Sequence, residues 1–137
     1  MAEVILDAGP LVAYLDKREE HHDWAVGEFE KLSGHVISCE AVITEVCFLL
    51  EGQERALAKV ADYLSRGIIR LEFALSAAHA RVFDLMRKYA DQPMSLTDAC
   101  LVCMAEEAPR ACVFTVDSDF KTYRLRNGKT VPLIAPW

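Results

Sequence analysis

Five short apolar runs recur along the chain, and a pair of helix-length stretches separates each of the first three from the next. The runs are Val4-Ile5-Leu6, His35 to Ser38, Ile68 to Phe73, Ala111 to Val116 and Val131 to Ile134. Between them, helical periodicity marks residues 9–15, 20–32, 41–51, 54–66, 77–90 and 97–107. Parallel strands need long crossovers and helices supply them, so the order β-α-α-β-α-α-β-α-α-β-β predicts an α/β fold, a parallel sheet flanked by helices. At 137 residues the chain is long enough for one domain, 1–137, with its own core.

Local punctuation agrees with this order. Gly34, Gly52 and Gly67 each follow a helical stretch, where helix-ending glycines sit. Asp91-Gln92-Pro93 stops one helix, and Ser95-Leu96-Thr97-Asp98 reads as the capping box of the next, with Asp in the place of Glu or Gln. Asn127-Gly128 marks a turn before the last run.

Fifteen basic against 21 acidic side chains leave a net charge of −6, which argues against a protein that coats nucleic acid or anionic membrane through bulk charge. No uncharged run exceeds eight residues, and Glu3 and Asp7 interrupt the amino-terminal stretch. Neither a membrane span nor a secretory leader is expected, and the predicted location is the cytoplasm. Five cysteines, an odd number set mostly among apolar neighbours, read as reduced core residues. Cys100 and Cys103 form a CxxC, but it stands alone inside a predicted apolar helix, so the core reading is preferred to zinc or redox chemistry.

Acidic residues flanked by apolar positions carry the functional signal, because an unpaired buried ion costs several kcal/mol. Asp7 follows the first strand, where it also suits the N-cap of a helix with proline in its first turn. Glu45 has Ala41, Phe48 and Leu49 at i−4, i+3 and i+4, which predicts a carboxylate on an apolar stripe. Asp98 precedes Leu101 and Val102 on its helix, and a capping role competes with a functional one. Asp117 closes the strongest β run, within Thr115-Val116-Asp117-Ser118-Asp119-Phe120. Two of these acids end strands and two lie on helices that begin just after strand ends. In open parallel sheets those places converge on one crevice at the carboxyl edge. Two carboxylates about 5 Å apart repel by about 3 kcal/mol at an effective dielectric of 20, so such a cluster calls for a divalent cation. Oxygen ligands without a matching His or Cys set favour Mg²⁺ or Mn²⁺ over zinc. The adjacent His21, His22 and Asp23 point different ways on a helix and are expected at the surface, with Trp24 turned inward.

From about Val4 to Ile134 the chain resembles the PIN-domain proteins, a family that includes the toxin ribonucleases of toxin–antitoxin pairs. The resemblance rests on Ile5 to Leu15 followed by His22 to Ala25, on Thr44-Glu45-Val46, on Leu96 to Ala99, and on Thr115 to Phe120. It implies a five-stranded parallel sheet of doubly wound type and a Mg²⁺- or Mn²⁺-dependent phosphodiesterase acting on RNA. It further implies that Asp7, Glu45, Asp98 and Asp117 form a catalytic metal site, with Asp119 replacing or assisting Asp117. Thr115 would support the last carboxylate by hydrogen bonding. A cognate antitoxin and a homodimer are implied as partners, with apolar contact surface expected from Leu11, Tyr14, Trp24 and Phe29 if these are not spent on the core.

Charge is unevenly distributed in a way that suits an RNA substrate. Residues 1–66 hold 6 basic and 13 acidic side chains, residues 67–137 hold 9 and 8. Arg110, Lys121, Arg124, Arg126 and Lys129 form a basic run with Tyr123, a candidate for stacking on a base; the alternative is a solvated turn and edge strand. Two other functions stay open. A receiver-type phosphoacceptor domain is also small and doubly wound, but it wants paired acids after the first strand, where Asp7 stands alone. A PIN-like module that binds a protein partner or takes part in RNA processing with little catalysis is the other.

Overall fold

A computed structural model describes residues 3–137. Its elements follow the order β1 (Val4–Leu6), α1 (Ala8–Leu15), α2 (His22–Lys31), β2 (Val36–Ser38), α3 (Glu40–Leu49), α4 (Glu54–Ser65), β3 (Ile69–Leu71), α5 (Leu75–Lys88), α6 (Leu96–Glu107), β4 (Cys112–Phe114) and β5 (Leu133–Ile134). The strands form one five-stranded sheet in the order β3-β2-β1-β4-β5, every pair parallel. The predicted sheet and helix pairs are thus present. A single 3-10 turn, Ser118–Lys121, was not expected.

This strand order decides against a receiver domain, whose sheet runs 2-1-3-4-5. Here β1 is central, with β2 on one side and β4 on the other, so the carboxyl ends of β1 and β4 lie side by side. Ile5, Leu6, Val113 and Phe114 are fully buried, as strands covered on both faces should be. At the outer edge, β3 is shorter than the apolar run predicted, and only Ile69 of its three residues is buried.

Helix α6 is buried continuously from Thr97 to Ala105, which explains why its apolar filling has no clear period. Cys100 and Cys103 are consequently core residues, and burial pushes the Cys103 thiol up to about 11. Gly52 and Gly67 end α3 and α4 in the left-handed conformation, at φ 82° and 69°, as helix-ending glycines do. Helix α2 instead closes at Lys31 on an extended Leu32, without a left-handed residue. Gly128, at φ 83°, makes the predicted turn before β5.

The aromatic residues of the first helices serve the interior. Leu11 is buried, Tyr14 packs on Phe29 at 4.6 Å, and Phe29 and Trp24 pack on Phe114 at 5.0 and 5.4 Å. Exposed apolar side chains lie elsewhere: Phe48 is 72% and Leu49 53% exposed at the end of α3, with Leu75 and Phe83 exposed on α5. Of the stripe Ala41-Phe48-Leu49, only Ala41 packs against the core, and the half-buried Glu45 is not walled in by the other two. The apolar pattern is real, but it belongs to a surface. His22 also departs from expectation, turning its ring inward to the carbonyl of Ala13 at 2.6 Å.

Candidate active site at the carboxyl edge of the sheet

Asp7 sits where β1 ends and α1 begins, with its backbone N–H on the carbonyl of Phe114, 3.0 Å away. Its Oδ1 accepts from the N–H of Ala8 at 2.7 Å, the expected N-cap role, and its Oδ2 accepts from the Thr115 hydroxyl at 2.7 Å. The side chain is 7% exposed. Burial above all, and the charges of Asp98 and Glu45 after it, raise Asp7 to about 6 even against the pull of those two hydrogen bonds.

Thr115 thus supports the first carboxylate and not the last. A hydroxyl has one proton to give, and here it goes to Asp7, while the oxygen accepts from the backbone N–H of Asp117 at 3.0 Å. The fully buried Thr115 is therefore a hinge pin between two acids: it orients the Asp7 carboxylate and fixes the main chain from which Asp117 projects. Asp117 in turn accepts from the N–H of Asp119 at 2.9 Å through Oδ1, and so caps the 3-10 turn. Asp119 faces Asp117, and burial together with that neighbouring charge raises its pKa.

Asp98 does both things the sequence allowed. It completes the capping box, with its N–H on Ser95 Oγ at 3.1 Å and its Oδ2 facing the Ser95 N–H at 3.4 Å, yet it is 7% exposed and stands beside the other acids. Burial and the charge of Asp117 raise its pKa, while hydrogen bonds from Tyr123 and Ser95 oppose the rise. The Tyr123 hydroxyl donates to Asp98 Oδ2 at 2.9 Å. Tyr123 is 0% exposed, so it cannot stack on a base, and its place in an RNA-binding surface is withdrawn.

The roles of two residues at this edge were missed in the sequence. Ser38, at the end of β2, donates to the carbonyl of Leu6 at 2.8 Å and closes the polar end of the central strand pair. Tyr123 reaches Asp98 across 25 residues of chain. A polar residue inside an apolar run hinted at the first; local sequence could not reveal the second.

The basic run divides. Lys121 lies over the ring of Trp137 at 4.6 Å, and Arg124 donates to the carbonyls of Lys121 and Tyr123, both in the segment that follows Asp117. Arg126 and Lys129 line a hollow with Ala105, Glu106 and Pro109, where α6 ends and the chain turns toward β4. Arg110 lies in that same approach to β4. Those three cations are at the amino edge of the sheet, away from the acids.

None of the described ion pairs engages Asp7, Glu45, Asp98, Asp117 or Asp119. Their partners are neutral donors, which orient a carboxylate without cancelling its charge. A hard divalent cation fits this donor set, since Glu45 accepts no described hydrogen bond and Asp98 and Asp117 each keep one oxygen free of them. Among the described residues, no three Asp, Glu, His or Cys side chains stand close enough to hold an ion as placed.

The family model described as PIN domain matches residues 4–125. The chain belongs to the PIN-domain family. All four acids lie inside the matched stretch. Among solved structures, this PIN domain is similar to VapC20 of Mycobacterium tuberculosis, a sarcin-ricin-loop-cleaving toxin. The two share 16% of their residues and superpose with a TM-score of 0.78 over 87% of this chain and 93% of that one, a likeness of fold. No curated protein sequence matches the chain.

Proposed function

We propose that this PIN domain is a Mg²⁺- or Mn²⁺-dependent ribonuclease, the toxin of a toxin–antitoxin pair. One observation supports the reading: acids from four elements lie toward the carboxyl edge of the sheet, near enough that Asp98 and Glu45 raise Asp7 and Asp117 raises Asp98, and no described ion pair engages any of them. Asp7, Glu45, Asp98 and Asp117 would hold the cation, with Asp119 assisting Asp117. Bound there, the ion would supply a water of lowered pKa and stabilise the charge that develops on the leaving oxygen. The chain's own part is orientation. Thr115 and the Ala8 N–H fix both oxygens of Asp7, the Asp119 N–H fixes one of Asp117, and the Ser95 cap fixes one of Asp98. Without a cation this edge repels phosphate, so RNA binding and catalysis should depend on metal together. Lys121 and Arg124 are the cations placed to meet an RNA backbone at this edge; Arg110, Arg126 and Lys129 are not.

The toxin role draws on the likeness to VapC20, and with it come a cognate antitoxin, a homodimer and a cytoplasmic location as parts of the same proposal. No helix among the described residues is long and apolar enough to cross a membrane. Exposed Phe48 and Leu49, and the hollow lined by Leu11, Tyr14 and Phe29 of the first helices, are apolar surfaces available to protein partners.

The test is cleavage of structured RNA by purified protein with Mg²⁺ or Mn²⁺, with and without chelator. Cleavage is expected only with metal. Cleavage undiminished in chelator would sink the metal mechanism, and no cleavage with either ion would favour a partner-binding module.

A further inference from the structure

Tyr123 lies 3 residues past Phe120, and both are core residues of the segment that carries Asp117 and Asp119. Its ring packs edge-on against Phe120 at 5.2 Å and Tyr89 at 5.1 Å, and no part of the residue is exposed. Phenylalanine would fill that space equally well. What a tyrosine adds is one hydroxyl, and the one described bond of that hydroxyl goes to Asp98 Oδ2, 2.9 Å away. A hydrogen bond from a buried phenol to a carboxylate is charge-assisted and directional, so it fixes the rotation of the carboxylate as well as its position. The Ser95 N–H faces the same oxygen. Both protein donors thus converge on Oδ2. Oδ1 accepts none, and since no described buried side-chain oxygen or nitrogen lacks a partner, Oδ1 is open to solvent.

We infer that Tyr123 is a positioning residue, which holds Asp98 Oδ2 so that Oδ1 is the oxygen offered to the divalent cation. The inference rests on the metal-site reading above and deepens it. The same short segment then supplies one acid, Asp117, and the support of another, Asp98, so the fourth strand's loop and helix α6 are brought to the site in register. Tyr89 provides the contrast. It is nearly as buried and belongs to the same aromatic cluster, but its hydroxyl accepts from the Arg124 N–H at 2.9 Å and touches no acid.

Metal affinity separates positioning from packing. The Mn²⁺ dissociation constant of chelator-stripped protein is measured by titration calorimetry for wild type, Tyr123→Phe and Tyr89→Phe, with melting curves alongside. Tyr123→Phe is expected to weaken Mn²⁺ binding about tenfold or more, the usual effect of losing a partner behind a metal ligand, while Tyr89→Phe leaves it unchanged. Equal Mn²⁺ affinity in Tyr123→Phe and wild type overturns the inference alone, as does an equal loss in Tyr89→Phe. Wild-type protein that takes up no Mn²⁺ overturns the metal-site reading and the inference with it. A second measurement needs no variant: in wild type labelled at tyrosine Cζ with ¹³C, Mg²⁺ should shift the Tyr123 resonance and leave that of Tyr89 in place. A Tyr123 resonance unmoved by saturating Mg²⁺ overturns the inference even if Tyr123→Phe fails to fold.

Discussion

Asp7→Asn should stabilise the metal-free protein at neutral pH while abolishing its activity. Burial raises Asp7 from 3.8 to about 6, so between these values the folded protein binds a proton that the unfolded chain has released. Stability therefore falls as pH rises through that window and is level above it. The shift of roughly two units corresponds to about 3 kcal/mol at about 1.36 kcal/mol per unit, an upper bound on the cost of the charged form at pH 7.5. Asparagine removes the charge and keeps part of the hydrogen bonding: its oxygen can still cap the Ala8 N–H, and its amide can turn to the Thr115 oxygen. Loss of the Thr115 donation costs about 1 kcal/mol, which leaves a net gain of about 2 kcal/mol. Urea unfolding in chelator at steps from pH 4 to 8 measures this directly. Wild type and variant should be near-equal or favour wild type at pH 4, cross over as pH rises, and differ by about 2 kcal/mol at pH 7.5, about 6 °C in melting temperature for a chain of this size. Saturating Mg²⁺ should stabilise wild type at pH 7.5 and leave the variant less affected. If the two proteins show parallel pH profiles in chelator, burial is not what governs Asp7, and the electrostatic reasoning fails.

Three further outcomes follow from the geometry. Asp98→Asn should stay within about 1 kcal/mol of wild type in metal-free melts, since asparagine preserves much of a cap, but should lose Mg²⁺ affinity and RNA cleavage together; Asp84→Asn on α5 should change neither, and wild-type cleavage by Asp98→Asn would reduce Asp98 to a cap. Gly9→Ala puts a Cβ into the side chain of Val116, next to Asp117, and should cost about 1–3 kcal/mol by urea unfolding, with Val116→Ala in the same chain restoring most of it; an unchanged midpoint would show that α1 is not pressed on this loop. Lys121→Glu should weaken binding of a short RNA and flatten its salt dependence, whereas Arg126→Glu, at the opposite edge of the sheet, should do neither; equal effects would return RNA binding to the whole basic run.

The order of elements was legible because strand and helix periods differ and because Gly52, Gly67 and the Ser95 capping box punctuate them in the expected places. The shared edge of the four candidate acids was legible for a related reason, since topology alone sends the ends of β1 and β4 and the starts of α3 and α6 there. Glu45 shows where such reading stops. Apolar residues at i+3 and i+4 mark a helix face that avoids water, yet Phe48 and Leu49 are exposed, because a face reserved for another surface has the same pattern as one reserved for the core. Thr115 was assigned the wrong carboxylate for a different reason. Proximity in sequence favoured Asp117, but the hydroxyl proton goes across the strand pair to Asp7, a neighbour created only by the register of β1 on β4. Tyr123 was misplaced by charge: a tyrosine among basic residues looks like a stacking surface until α6 is packed over it.

The choice of supports at this edge has its own electrostatic logic. A cationic partner would remove most of the repulsion among these carboxylates and make the metal-free domain more stable, but it would also compete with any incoming ion for the same oxygens. The hydroxyls of Thr115 and Tyr123 and the N–H groups of Ala8, Ser95 and Asp119 orient the acids and leave their charge intact. Burial raises Asp7 and Asp98, with their acidic neighbours adding to the rise, and under the proposed function a divalent cation would relieve it. On the proposed metal-site reading, metal affinity would thus be drawn from folding free energy that the metal-free state does not realise. The neutral support of Asp7 by Thr115 belongs to that arrangement: its hydroxyl orients the carboxylate within a fully buried space too small for a cationic side chain, and leaves the charge uncancelled.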